Sequence, residues 1–111
     1  MEPSTSGDAV LAHMVVFTLK DKSAAAVERL LDSGRELLTG HPGTRYFAIG
    51  TRVEDLTRPV NDQDYDVGLH VVFDNRESHD LYQTSPRHLQ FIDENKDSWE
   101  RVRVFDSYVT E

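Results

Sequence analysis

The chain has 111 residues, of which 38% are hydrophobic, enough to build one compact domain but too few for a second. Its 20 acidic and 12 basic residues give a formal net charge of -8 at pH 7, which opposes nucleic acid and anionic membrane surfaces as partners. Because the sequence contains no cysteine, it excludes disulfides, thiolate catalysis and cysteine-ligated metal centres, and we expect a cytoplasmic protein.

The first predicted elements are a leader, a strand and an amphipathic helix. Residues 1–8 are interpreted as a flexible leader, and residues 9–111 as a single domain. Residues 9–20 are rich in β-branched and aromatic side chains, which predicts a strand. Ser23 predicts the cap of a helix that ends at a turn over residues 40–43. The apolar positions of this helix recur at helical spacing and are Val27, Leu30, Leu31, Leu37 and Leu38.

Two further strands and a second helix follow. Residues 44–53 predict a strand that leads into a solvated loop over residues 54–64. The clearest strand covers residues 65–73, where apolar side chains alternate along one face. Asp74 stands at a capping-box spacing and predicts the start of a second helix that runs through Tyr82.

A break in the second helical region precedes the last strand. Pro86 favours the first position of a new helical segment, with Ser85 as its cap. Apolar side chains attributed to this segment are Leu89, Phe91, Ile92 and Trp99. Residues 102–109 predict a fourth strand. The β-α-β-β-α-β order predicts an α+β, ferredoxin-like domain with a four-stranded antiparallel sheet.

The first strand predicts a sheet with two apolar faces. One face carries Leu11, His13, Val15, Phe17 and Leu19, and the other carries Val10, Ala12, Met14 and Val16. Because two helical regions cover only one face, the second face, on the order of 500 Å² in area, requires a partner. A twofold homodimer with facing sheets, a dimeric α/β barrel, is the expected solution. The alternatives are a monomer with an apolar surface and a different protein partner.

Tyr82 and His88 are the candidate catalytic residues. His88 lies just beyond the helix break, and an imidazole is suited to proton transfer at neutral pH. Tyr82, on the preceding helix, is placed to donate a hydrogen bond to an enolate oxygen. The alternative role for both residues is structural, with His88 bonded to backbone carbonyls and Tyr82 packed in the core.

The candidate ligand-binding residues lie on the strands. His13 shares its strand face with Phe17, whereas His70 alternates with the apolar face that ends at Phe73. The alternative for each histidine is a hydrogen-bonded structural role. Asp106 interrupts the apolar alternation of the last strand and is interpreted as meeting solvent near the sheet edge, with orientation of a histidine as the alternative.

We predict neither a cofactor nor a specific metal site. The sequence lacks H-E-x-x-H, His-x-His and calcium-loop patterns. His79 and Asp80 are neighbours on a helix, so we expect their side chains to diverge, and His79 approaches His88 only if the helix break folds them together. No Gly-x-Ser-x-Gly elbow supports a serine nucleophile, and no motif supports heme or flavin.

Several segments together resemble the stress-responsive dimeric α/β-barrel (Dabb) family. They are HMVVFTLK from His13, HPGT from His41, YDVGLHVVF from Tyr65, DLYQTSPRHLQF from Asp80 and the terminal VRVFD. The most specific part is Tyr82-x-x-x-Pro86-x-His88. The resemblance covers nearly the whole chain after residue 8, and it implies a ferredoxin-like fold that dimerises sheet to sheet.

The resemblance also bears on function. In a polyketide cyclase branch of the family, residues matching Tyr82 and His88 hold the substrate and remove a proton next to a carbonyl. Ser85 stands where that branch has a histidine, so polyketide chemistry is not carried over. Two functions follow as alternatives: a small-molecule-binding protein that transfers a proton without a cofactor, or a non-catalytic stress or accessory scaffold. The scaffold predicts an interior filled by Phe17, Phe47, Phe73 and Phe105.

Overall fold

The computed structural model describes residues 9–111 and confirms the predicted order of elements. These are β1 Val10–Leu19, α1 Ala24–Leu37, β2 Thr44–Thr51, β3 Val67–Phe73, α2 Arg76–Thr84, α3 Pro86–Asn95 and β4 Trp99–Val109, with a 3₁₀ turn over Lys96–Ser98. The leader predicted over residues 1–8 lies outside the described residues. None of the helices within residues 9–111 is long and apolar enough to cross a membrane.

The strands form one antiparallel sheet in the order β2-β3-β1-β4. This arrangement, with helices on one face, is the predicted ferredoxin-like fold. β1 is central, and its His13 lies opposite Val71 of β3 and Asp106 of β4. The register therefore places a histidine and a carboxylate side by side on the same face of the sheet.

The core lies between the sheet and the helices. Ser23 caps α1 as predicted, since its Oγ accepts a hydrogen bond from the Ala26 amide at 3.2 Å. The buried leucines of this helical region are Leu30, Leu31, Leu37 and Leu38. They pack against inward-facing residues of β1 and β3, which are Leu11, Val15, Phe17, Leu19, Val67, Leu69, Val71 and Phe73. The predicted helical stripe is thus the buried face of α1.

The predicted turn after α1 is confirmed by two glycines. Gly40 and Gly43 have φ angles of 75° and 80°, in the left-handed region that glycine adopts without steric cost. The turn buries His41 against the helix layer. It thereby adds a polar side chain to the interior.

The hairpin strands are shorter than predicted. β2 ends at Thr51 rather than at residue 53, and β3 begins at Val67 rather than at residue 65. At this end of the hairpin the carboxylate of Asp66 accepts a hydrogen bond from the Leu19 amide at 2.8 Å. This residue therefore ties the loop to the end of β1 instead of extending β3.

Two other predicted boundaries are corrected. Asn75, not Asp74, caps α2, because its Oδ1 accepts a hydrogen bond from the Ser78 amide at 2.8 Å while Asp74 pairs with Arg45. Trp99 begins β4 rather than extending the apolar side of α3, because the 3₁₀ turn ends the helical region before it.

The second face of the sheet is apolar and is covered by none of the helices in residues 9–111, as the pattern of β1 predicts. Met14, Tyr46 and Phe105 are 39%, 58% and 47% exposed in the single chain. Val10 and Val16 on the same face are half-buried. An apolar surface of this kind marks a site of association.

Candidate functional site

A cavity of about 150 Å³ lies between the helices and the β4 side of the sheet. Its polar lining residues are His13, Tyr82, Gln83 and His88. Its apolar lining residues are Val15, Phe17, Leu38, Leu69, Phe91, Ile92, Trp99, Val102 and Val104. Val102 and Val104 are 37% and 51% exposed, so the cavity opens along β4.

Tyr82 lies at the centre of a cluster of aromatic rings. Its ring centroid is 4.6 Å from that of His88, 4.9 Å from that of His41 and 5.0 Å from that of Phe73. Burial raises the pKa of its phenol far above the usual value for tyrosine. The hydroxyl therefore stays protonated at physiological pH and acts as a hydrogen-bond donor.

His88 is held in one orientation at the start of α3. Ser85 caps this helix by accepting a hydrogen bond from the His88 amide at 3.2 Å. The Nδ1 atom of His88 lies 3.1 Å from the Gln83 carbonyl oxygen. Since a carbonyl only accepts, we assign the ring proton to Nδ1, which leaves the lone pair on Nε2.

The environment of His88 favours the neutral imidazole. Burial is the largest cause that lowers its pKa, and the hydrogen bond to the Gln83 carbonyl partly offsets it. The charges of His13, His41 and His79, when protonated, lower the pKa further. A neutral ring with an Nε2 lone pair is the form of histidine that accepts a proton.

His13 forms a short pair with Asp106. Its Nδ1 lies 2.5 Å from Asp106 Oδ1, and the imidazole is buried. Burial lowers the pKa of His13, while the hydrogen bond and the negative charge of Asp106 act in the opposite direction. The interpretation of Asp106 as merely solvent-facing is therefore wrong: its side chain is 44% exposed but also orients His13.

Two histidines to which the sequence assigned no site role join this cluster. The Nε2–H of His41 donates to a backbone carbonyl of α1 at 2.8 Å. The ring centroid of His79 lies 5.1 Å from that of His13. His79 Nδ1 also lies 2.9 Å from the Asp80 carboxylate, so the expected divergence of these neighbours is wrong. The three-residue spacing of His79 and Tyr82, which places them on one helix face, was the available signal.

The candidate strand residues fall into two groups. Phe17 lines the cavity, and Phe73 is fully buried behind Tyr82. His70 is exposed on the opposite face of the sheet, so the structure does not bring it to the cavity. Phe105 also lies on that face, which removes it from the filled interior that the scaffold alternative predicts.

The family described as the Stress responsive A/B Barrel Domain, Dabb, matches residues 11–109 of the chain. A Dabb family protein with a ferredoxin-like fold from Mesorhizobium loti is 23% identical, with a TM-score of 0.77 over 93% of this chain and 99% of that one. A dimeric ferredoxin-like protein of unknown function from Thermobifida fusca is 14% identical, with a TM-score of 0.77 over 98% and 100%.

An enzyme is also among the similar structures. The hydroxynitrile lyase of Passiflora edulis is 20% identical, with a TM-score of 0.74 over 94% of this chain and 96% of that one. Among proteins with curated descriptions, none matches the chain in sequence. At these identities the structural likenesses establish the fold.

Proposed function

The chain belongs to the stress-responsive A/B barrel (Dabb) family, and we propose that it binds a small organic molecule and transfers a proton on it without a cofactor. One observation carries this proposal: a single cavity is lined by both Tyr82 and His88. A hydroxynitrile lyase shares this fold, so the fold is compatible with catalysis. As part of the same proposal, we place the protein in the cytoplasm.

The cavity defines the class of ligand. Its walls are mainly aliphatic and aromatic, and its polar groups are neutral imidazoles, a phenol and an amide. A volume of about 150 Å³ accommodates a molecule about the size of benzene. We therefore propose a small, uncharged, mostly apolar compound that carries one carbonyl group.

The proposed reaction is proton transfer next to that carbonyl. Tyr82 donates its hydroxyl proton in a hydrogen bond to the carbonyl oxygen, where negative charge develops. His88 Nε2 removes the proton from the adjacent carbon, and the products are an enolate and an imidazolium. The Gln83 carbonyl, 3.1 Å from Nδ1, accepts from the imidazolium and stabilises it. Return of the proton regenerates both partners.

A non-catalytic scaffold is the second candidate, and one observation favours it. The cavity volume of about 150 Å³ is below the roughly 300–1,000 Å³ of common ligand sites. On this reading, the histidines hold the helices together through hydrogen bonds to backbone carbonyls. The two candidates differ in whether the cavity admits a ligand.

Deuterium exchange tests the enzyme proposal. Cyclohexanone is a suitable probe, since it is small, uncharged and has exchangeable protons next to its carbonyl. In D₂O we expect the protein to accelerate this exchange, as followed by proton NMR. His88→Gln should reduce the acceleration about 10²- to 10⁴-fold, and Tyr82→Phe about 10²- to 10³-fold.

His70→Gln is the matched control, because His70 is exposed and lies on the other face of the sheet. It should exchange at the wild-type rate. Full activity in His88→Gln would reject the proposed base. If the wild-type protein neither binds cyclohexanone nor accelerates its exchange, the result favours the scaffold.

We also propose that the chain forms a homodimer through the uncovered sheet face. The support is the apolar exposure of Met14, Tyr46 and Phe105, together with a dimeric structural relative. Light scattering at micromolar concentration should give the mass of a dimer. Met14→Glu places a charge at the centre of this face and should yield monomers that keep the cavity; a monomeric wild-type protein contradicts the proposal.

A further inference from the structure

We infer that His13, His79 and Asp106 form a binding site for one divalent transition-metal ion at the edge of the cavity. One ligand atom from each of these residues lies within 4.8 Å of the other two. The three residues come from β1, α2 and β4, so only the folded chain assembles them. The proposed proton transfer requires no metal, and this site is an addition to it.

The fold holds the three groups together before any ion binds. The β1–β4 register sets His13 directly opposite Asp106, and their side chains are 2.5 Å apart at Nδ1 and Oδ1. α2 places His79 over β1, with its ring centroid 5.1 Å from that of His13. An ion would take the place of the proton shared by the first pair, and that proton would leave to solvent.

His79 has the outer-shell partner typical of a metal ligand. Its Nδ1 lies 2.9 Å from the Asp80 carboxylate, which fixes the proton on Nδ1 and leaves the Nε2 lone pair for an ion. Arg76 also pairs with Asp80, at 2.9 Å, and holds that carboxylate in place. On the Nε2 side, the amide nitrogen of Gln83 lies 3.4 Å away, a long contact that an ion would replace.

An ion has a path to the site from the surface. A depression of about 240 Å³ is lined by Leu11, Arg76, His79, Asp106, Ser107 and Tyr108. The side chain of Asp106 is 44% exposed, whereas the side chains of His13 and His79 are 5% and 14% exposed. The carboxylate therefore meets the ion first, and the buried imidazoles complete the site.

The donor set selects the class of metal. Two neutral imidazoles and one carboxylate suit Zn²⁺, Co²⁺, Ni²⁺ or Fe²⁺ better than Mg²⁺ or Ca²⁺, which prefer oxygen ligands. Three protein ligands leave coordination positions open for water or for an added oxygen or nitrogen donor. His13 also lines the cavity, so the proposed metal site and the cavity share this residue.

Cobalt and zinc titrations test the inference on the chelator-treated full-length protein. We expect one ion per chain, measured by calorimetry with Zn²⁺ and by the visible absorption bands of bound Co²⁺. Asp80→Asn should weaken binding about 10- to 100-fold, and loss of a direct ligand in His79→Gln or Asp106→Asn should weaken it more. Circular dichroism shows whether each variant is folded. If His79→Gln does not fold, Asp106→Asn still tests the site, because asparagine has nearly the same size and shape as aspartate.

Two controls separate this site from other histidines. His70→Gln, on the opposite sheet face, should bind the ion with wild-type affinity, and so should His88→Gln, which removes the proposed base but no metal ligand. Absence of saturable binding by the wild-type protein overturns the inference. Binding that is unchanged in folded His79→Gln and Asp106→Asn also overturns it. Neither result depends on cyclohexanone exchange, so this inference and the proposed reaction fail separately.

Discussion

β3 and β4 flank β1 in the same sheet, yet the helices of residues 9–111 cover only β3. On β3 the inward-facing Val67 and Leu69 are 0% and 2% exposed, whereas on β4 Val102 and Val104 are 37% and 51% exposed. The helix layer is thus narrower than the sheet. The cavity forms at this boundary, where no helix of the described part of the chain covers the apolar side chains of β4.

The boundary also explains where the polar groups lie. A buried polar side chain needs hydrogen-bond partners, and these are easiest to supply where solvent is near. His13 lies on β1, between β3, which the helices cover, and β4, whose inward-facing valines are partly exposed. Its hydrogen-bond partner, Asp106, comes from β4. The β3 side of the sheet is therefore a structural core, and we place the proposed proton transfer at the edge of the helix layer beside β4.

The largest effect on stability should come from truncating a buried side chain on β3. Phe73→Ala on β3 should lower the free energy of unfolding by about 3–5 kcal/mol, because Phe73 is fully buried and its truncation leaves a cavity in the core. Val104→Ala on β4 should lower it by about 0.5 kcal/mol or less. Urea denaturation at equal protein concentration measures both values, and similar losses at the two positions would break the comparison.

A smaller effect should follow from closing the opening of the cavity along β4. Val104→Trp adds a large ring at the opening of the cavity and should weaken cyclohexanone binding at least about tenfold, or about 1.4 kcal/mol. Leu81→Trp is the matched control, since Leu81 is exposed on α2 and does not line the cavity. Equal affinity in the two variants would show that the ligand enters elsewhere.

The buried histidines predict a dependence of stability on pH. The pKa values of His13 and His88 are lowered in the folded chain, chiefly by burial. The folded state thus binds fewer protons than the unfolded state. The contribution of the two histidines to the free energy of unfolding is complete above their unfolded pKa of about 6.5, and it is lost as pH falls through their lowered folded-state pKa values.

Urea denaturation between pH 7.5 and 5, roughly spanning that range, measures this dependence. The wild-type protein should lose stability toward the acid end, and His88→Gln should lose less, since one of the two groups is gone. A His88→Gln slope equal to that of the wild-type protein would show that His88 titrates alike in the folded and unfolded chains.

The smallest effect concerns the start of the helix that carries Tyr82. Asn75→Ala removes the α2 cap and should cost about 1 kcal/mol. Asp74→Ala should cost less, because Asp74 makes a surface ion pair instead of a cap. Thermal unfolding of the two variants compares them directly. A larger loss of stability in Asp74→Ala would indicate that Asp74 caps α2, as the sequence predicts.

The fold was largely predictable because its signals are local. Alternation along β1 and β3 and the leucine stripe of α1 report which faces are buried. Element ends were less predictable, since they depend on competing hydrogen bonds such as the one between Asp66 and the Leu19 amide. The same competition decided that Asn75 rather than Asp74 caps α2.

The site was predictable only in part. Tyr82 and His88 stand within one short motif, so the sequence alone brings them together. The pairing of His13 with Asp106 requires the register of two strands that are distant in sequence. His41 enters the cluster only because the turn folds back onto the helix layer, which no local periodicity reports.

Nitrogen NMR of the histidine side chains tests the central claim most directly, that His88 presents a lone pair to a ligand in the cavity. In the ¹⁵N-histidine-labelled protein at neutral pH, we predict that His88 carries its proton on Nδ1. Addition of cyclohexanone should shift the Nε2 resonance of His88 and leave that of the exposed His70 unchanged. A proton on Nε2 of His88, or a His88 signal that does not respond while the ligand binds, would contradict the account.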